Sequence, residues 1–161
     1  MHLKKISLVF MLLALSLPVK TIAGEIKEDD ILGFWLSENK DGIVEVKKVD
    51  GDYKGYLVWI NVIADGKEKD VFDIKNPDKK LQSRSLWGLR LFEGFEFDGQ
   101  WTGGKIYDPD SGNTYKCKMS LEENKTVLKL RGYVGITLFG RTSLWTRISD
   151  ITKYKKVKVL K

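Results

Sequence analysis

The chain is poor in the residues that cross-linking and most acid-base chemistry depend on: its 161 residues include one cysteine, Cys117, and one histidine, His2. A lone cysteine excludes an internal disulfide, so the fold must be held by packing. His2 belongs to a leader-like segment, and its loss leaves a mature chain without Ser-His-Asp or Cys-His catalysis and without the commonest zinc sites. Long hydrophobic runs are missing beyond Leu17, and no stretch keeps a helical period over about three turns. Both absences argue against a spanning helix and an α-helical body.

What is there begins with Lys4 and Lys5, an apolar run from Ile6 to Leu17, and small residues around Thr21-Ile22-Ala23. This order predicts a signal peptide over residues 1–23 and a periplasmic or secreted product. A membrane anchor is the weaker alternative, because the run falls short of the ~20 residues that span a bilayer. The formal charge of +6 drops to +3 without Lys4, Lys5 and Lys20, and residues 24–152 carry −2 once the five lysines of the tail 153–161 are set aside. A nucleic-acid binder spreads its cations over a folded face. Here the excess sits in a leader and a tail, so no nucleic-acid partner is expected. The tail reads as a solvated end, with docking on anionic lipid or polymer as the alternative.

Residues 24–152 suffice for a single domain with one core. Apolar runs alternate with turn signals throughout, predicting about eight strands: 31–36, 43–49, 53–60, 89–97, 101–107, 114–121, 126–133 and 140–148. Asp50-Gly51 and Asp98-Gly99 mark tight turns. Glycines at 55, 94, 103, 104 and 132 interrupt the strands, which suits the bends of a sheet closing on itself. Closure also removes edges open to other chains. The expected fold is all-β, an up-and-down antiparallel barrel, with a two-sheet sandwich as the alternative.

The chemistry available to this body is limited. Cys117 alternates with Lys116 and Lys118 and shares its parity with Tyr115, Met119 and Leu121, which reads as a buried thiol acting as a small hydrophobe. Asp108, Asp110 and Asn113 offer oxygens around Gly112, but the spacing is not that of an EF-hand, and "DPDSGN" reads better as a turn. Glu93, placed by parity with Leu91 and Phe95, is a candidate acid; pairing with Lys105 or an arginine is the preferred reading. Residues 61–87 are too long for an ordinary hairpin loop and read as a lid, a partner-binding loop, or a solvated connection with a short helical turn. No catalytic residue, cofactor or metal is assigned.

Aromatics carry the most specific expectation. Trp35, Trp101, Tyr107, Tyr115, Trp145 and Arg147 have inward parity. They either line a cavity for a small hydrophobic ligand, with Arg141 or Arg147 meeting a carboxylate, or fill the barrel as a solid core. In a meander barrel the first and last strands pair. Gly33-Phe34-Trp35 should then meet Arg147, with the guanidinium over the indole.

This Gly-x-Trp with a distant arginine resembles the barrel-closing signature of the lipocalin-like, or calycin, superfamily. A closer resemblance spans almost the whole mature chain. "ILGFW", "DGIVEV", "YKGYLVWI", "NPD" at 76–78, "LWGLRLFEGF", "WTGGKIYDPDSGNTYKCKMSL", "LKLRGYVG" and "LFGRTSLWTR" are similar, in order, to the bacterial exported family known as domain of unknown function 2147. The resemblance implies a signal peptide, a compact lipocalin-like barrel, a periplasmic or extracellular home and no established activity. It brings no catalytic residues. The functional expectation is a binding protein rather than an enzyme, holding a small hydrophobic ligand inside the barrel. The alternative is an envelope interaction module acting through residues 61–87 or the basic tail.

Overall fold

The computed structural model describes residues 24–154 except 62, 65–66, 69–70 and 123; the predicted signal peptide and the tail beyond Tyr154 lie outside the described residues. Eight antiparallel strands form the barrel: β1 Gly33–Leu36, β2 Gly42–Val49, β3 Asp52–Ile60, β4 Arg90–Glu93, β5 Lys105–Asp108, β6 Asn113–Glu122, β7 Val127–Tyr133 and β8 Gly140–Ile148. Each pairs with the next, and β8 returns to β1 with Trp35 opposite Arg147. Each of these eight strands therefore has two hydrogen-bonded neighbours, which closes the barrel and excludes the sandwich.

Local sequence sets the turns. Asp50 and Gly51 both take positive φ, 54° and 80°, as the tight hairpin between β2 and β3 requires. Between β4 and β5 the chain forms one bent hairpin. Its register runs unbroken from Phe92↔Ile106 and Glu93↔Lys105 to Glu96↔Thr102 and Phe97↔Trp101. The bend falls where Gly94 lies opposite Gly104, and Gly94 and Gly103 both take φ 79°, a conformation that L side chains rarely adopt. Asp52 fixes it by accepting from the backbone N–H of Gly94 at 2.9 Å and of Phe95 at 3.2 Å. The strands expected at 89–97 and 101–107 are thus each broken at this point. Their outer halves fold over the end of the barrel, where Trp101 pairs with Met119 of β6.

One side of the sheet encloses the core. Trp35, Val44, Leu57, Phe92, Met119 and Leu128 are among its most buried members, with Cys117 between them. Gly55 has no side chain because the Phe92 ring crosses it: a Cβ there would sit 2.3 Å from that ring. The meander sorts the connections into two ends. The closed end holds the turns at 50–51, 94–104 and 124–126, together with a 3-10 turn at Glu28–Ile31 that buries Ile31. The open end holds the connections 37–41, 71–89, 109–112 and 134–139. On the outside, the 3-10 turn Ile151–Lys153 brings Tyr154 to 4.9 Å from the Trp59 ring, so the first residues of the predicted tail belong to the packed body.

Candidate functional site

At the closed end, the predicted Trp35 and Arg147 meet as neighbours. Trp35 is fully buried, and its indole N–H donates to the Ile31 carbonyl at 2.8 Å. The Arg147 guanidinium lies 4.1 Å from the indole ring centroid. Its Nε donates to the Lys125 carbonyl at 2.8 Å, its Nη1 to the Leu32 carbonyl at 2.8 Å, and its Nη2 to the Asp30 carbonyl. Gly33 is what lets this cation approach, since a Cβ there would lie 3.3 Å from Arg147 Nη1. Burial pushes the guanidinium pKa down, against the opposing field of Asp30. Each of its three nitrogens donates to a carbonyl of the chain, so this arginine ties three segments together.

Trp101 occupies the same end, fully buried, with its ring centroid 4.9 Å from Phe97 and 6.3 Å from Tyr53. Tyr53 donates to Asp29 at 2.6 Å and lies under the Lys48 ammonium, which pairs with Glu28 at 3.0 Å and Asp29 at 3.2 Å. Burial, then the Asp29 carboxylate, raises the Tyr53 pKa to about 12.

Tyr107 stands apart from the interior set. It alternates with Ile106, whose strand partners Phe92 and Tyr115 mark the inner side, and its hydroxyl donates to Asp73 at 2.5 Å. Parity failed to predict this because the Gly103-Gly104 break separates Trp101 from Tyr107. Asp73 is the residue that sequence reasoning missed. Fully buried, it also accepts from Arg84 Nη2 at 2.7 Å, Arg84 Nε at 2.8 Å and Asn76 Nδ2 at 2.8 Å. Asp78, in the "NPD" stretch, caps the 3-10 turn Lys79–Leu81 by accepting from the Lys80 N–H at 3.0 Å. From Val71 onward the long connection is therefore strapped to the barrel around one carboxylate. The short helical turn was expected; the buried anchor was not.

One further expectation changes and two hold. Glu93 does not share a face with Leu91 and Phe95, because the β3–β4 pairing slips a residue between Phe92 and Arg90. It lies at the surface, 3.0 Å from Arg90 and opposite Lys105 in register. In "DPDSGN" the Asp108 carboxylate is used inside the turn, accepting from the Asp110 N–H at 3.0 Å and the Ser111 hydroxyl at 2.7 Å. Cys117 is buried, and burial lifts its thiol pKa to about 12, which keeps it un-ionised and unreactive.

The remaining predicted residues gather at the open end. Trp145, Ser143 and Arg141 follow each other along the inner side of β8 toward the mouth, and Trp145 Nε1 donates to Ser143 Oγ at 3.1 Å. Arg141 is exposed and lies opposite Gly132, whose missing side chain leaves Tyr115 on β6 as the next inward group. Phe92 lies beneath, 6.4 Å from the Trp145 ring. Cation, hydroxyl and aromatic surfaces thus succeed one another from rim to core. Among the described residues no cluster of His, Cys, Asp and Glu is arranged to hold a metal, and no helix is long and apolar enough to cross a membrane.

This architecture is that of a known solved structure, protein HP1028 from the human pathogen Helicobacter pylori, described as belonging to the lipocalin family. The two share 25% sequence identity over 81% of this chain and 92% of that one, with a TM-score of 0.69. No curated protein matches the chain. The family model described as "Uncharacterized protein conserved in bacteria (DUF2147)" matches residues 33–147, from the glycine before Trp35 to the arginine that covers it, and the chain therefore belongs to that family.

Proposed function

We propose that this protein is exported and binds a small amphipathic molecule, apolar with a carboxylate or similar anion, at the open end of its barrel. The leader signature of residues 1–23 supports export. One observation carries the ligand class: Arg141 is exposed at the rim while Ser143 and Trp145 continue the same inward column toward Phe92. An apolar body would lie against Tyr115 and Trp145, and its anion would meet the Arg141 fork. The lipocalin-like fold of the solved neighbour agrees with such a role, since ligands of barrels of this size enter through the mouth. Trp35, Trp101 and Arg147 belong to the closed end and take no part in it.

Titration with fatty acids of graded length, haem and aromatic carboxylates, followed by tryptophan fluorescence, tests the reading. Quenching is expected for at least one class, and Arg141→Ala should weaken carboxylate ligands by roughly tenfold or more, the worth of a charge-assisted hydrogen bond. Absence of any response across the three classes would refute it.

A further inference from the structure

The connection between β7 and β8 presents four large apolar side chains to solvent: Val134 is 68% exposed, Ile136 59%, Leu138 74% and Phe139 76%. So dense a patch in six residues is costly to hydrate and calls for a cover. The tip is also held in shape, because Arg131 Nε donates to the Thr137 carbonyl at 2.8 Å and Arg131 Nη2 to the Leu138 carbonyl at 3.2 Å.

The two strands that carry the tip bring cations next to it, Arg131 on β7 and Arg141 on β8, with Lys129 further along β7 paired to Glu122 at 2.9 Å. On the outer face of the sheet, Lys118 of β6 lies directly opposite Arg131 of β7, and Lys116 opposite Lys105. Like charges in such positions weaken a sheet unless something anionic lies over them. Lys118, Lys129 and Arg131 also border a groove of about 540 Å³ with Ser120, Thr142 and one acid, Glu122. Arg131 belongs to both features, which makes the apolar tip and the basic groove one surface.

We propose that this surface docks on a lipid bilayer rich in anionic headgroups, with the 134–139 tip entering the acyl boundary and headgroup phosphates meeting Lys118 and Arg131. An acidic polymer would satisfy the groove and leave the tip wet. A second copy of the chain would cover the tip but, in a two-fold contact, would set these cations against themselves. Four side chains also supply far less than the ~800 Å² per partner of a stable interface. The proposal is independent of the ligand reading and of the lysine tail.

The test uses residues 24–161, which hold every strand and core side chain described above, in co-sedimentation with vesicles of phosphatidylcholine alone or with phosphatidylglycerol. Binding to the anionic vesicles is expected, diminishing with salt. Leu138→Asp with Phe139→Asp should lower that affinity roughly 100-fold, since two apolar side chains no longer leave water. Lys118→Gln should lower it about fivefold. Both changes are at the surface, and near-ultraviolet circular dichroism checks that each variant folds; Leu138→Ala with Phe139→Ala serves as a gentler form of the first. Failure to bind either vesicle, or tip variants that bind like the parent, overturns the proposal. So does a parent dimer in sedimentation velocity that the tip variants dissolve while vesicle binding is unmoved, which would make a second copy the occupant.

Discussion

The two ends of the barrel use similar residues to opposite purposes. At the closed end an arginine and two tryptophans are enclosed: Arg147 spans the carbonyls of Asp30, Leu32 and Lys125, Trp35 donates to Ile31, and Trp101 is sealed from water with its indole N–H unpartnered. At the open end an arginine and a tryptophan, Arg141 and Trp145, stand in one inward column with the cation left in solvent. Residue type does not separate them. What does is whether neighbouring backbone supplies acceptors: at the closed end the carbonyls of Asp30, Ile31, Leu32 and Lys125 meet Arg147 and Trp35. Capped groups maintain the fold, and the uncapped cation is the one the proposed ligand would meet.

The comparison breaks most visibly at Trp35. Trp35→Ala should cost about 3–5 kcal/mol in urea unfolding, the usual penalty for removing a buried tryptophan. Arg147→Lys should cost about 2 kcal/mol, because an ammonium cannot deliver three directed N–H groups while covering a ring. Neither variant, where it remains folded, should alter ligand affinity at the mouth; an Arg147→Lys protein of unchanged stability would dissolve the distinction between the ends.

Alkaline titration probes the closed end without mutation. Tyr53 holds its proton to about pH 12 in the folded chain, whereas an unfolded tyrosine loses it near 10.0. The folded state binds the extra proton, so this contribution is complete below pH 10 and is lost as pH rises from 10 towards 12. The thermal midpoint should fall over that window, and Tyr53→Phe should flatten the fall.

At the open end, Tyr107→Phe removes one donor from the buried Asp73 and should cost about 1–2 kcal/mol. Amide exchange should accelerate from Val71 to Leu89 while the strands of the closed end keep their protection. Uniform acceleration would show that the strap and the barrel open as a single unit. The smallest effect is expected at Glu93, where an exposed pair with Arg90 is worth less than ~0.5 kcal/mol, so that Glu93→Gln should leave unfolding almost unmoved.

Much of the fold was legible because period-two alternation and Asp-Gly turns are local signals. The meeting of Trp35 with Arg147 was legible because a meander of eight strands joins its ends once it closes. Face assignments failed at Glu93 and Tyr107, and both failures trace to one-residue events: a bulge between Phe92 and Arg90, and the break at Gly103-Gly104. Either reverses every later side chain, and alternation in a short strand does not reveal it. Asp73 was invisible for another reason. Its partners Arg84 and Tyr107 lie 11 and 34 residues away along an irregular segment, so no periodicity connects them.

The bond from Arg147 to the carbonyl of Leu32 crosses 115 residues. A chain threaded through a translocation channel from either terminus cannot make it until nearly everything between has emerged. Until then Trp35 has no lid and the sheet keeps two raw edges, so on the export route we propose the molecule would become whole only on the far side.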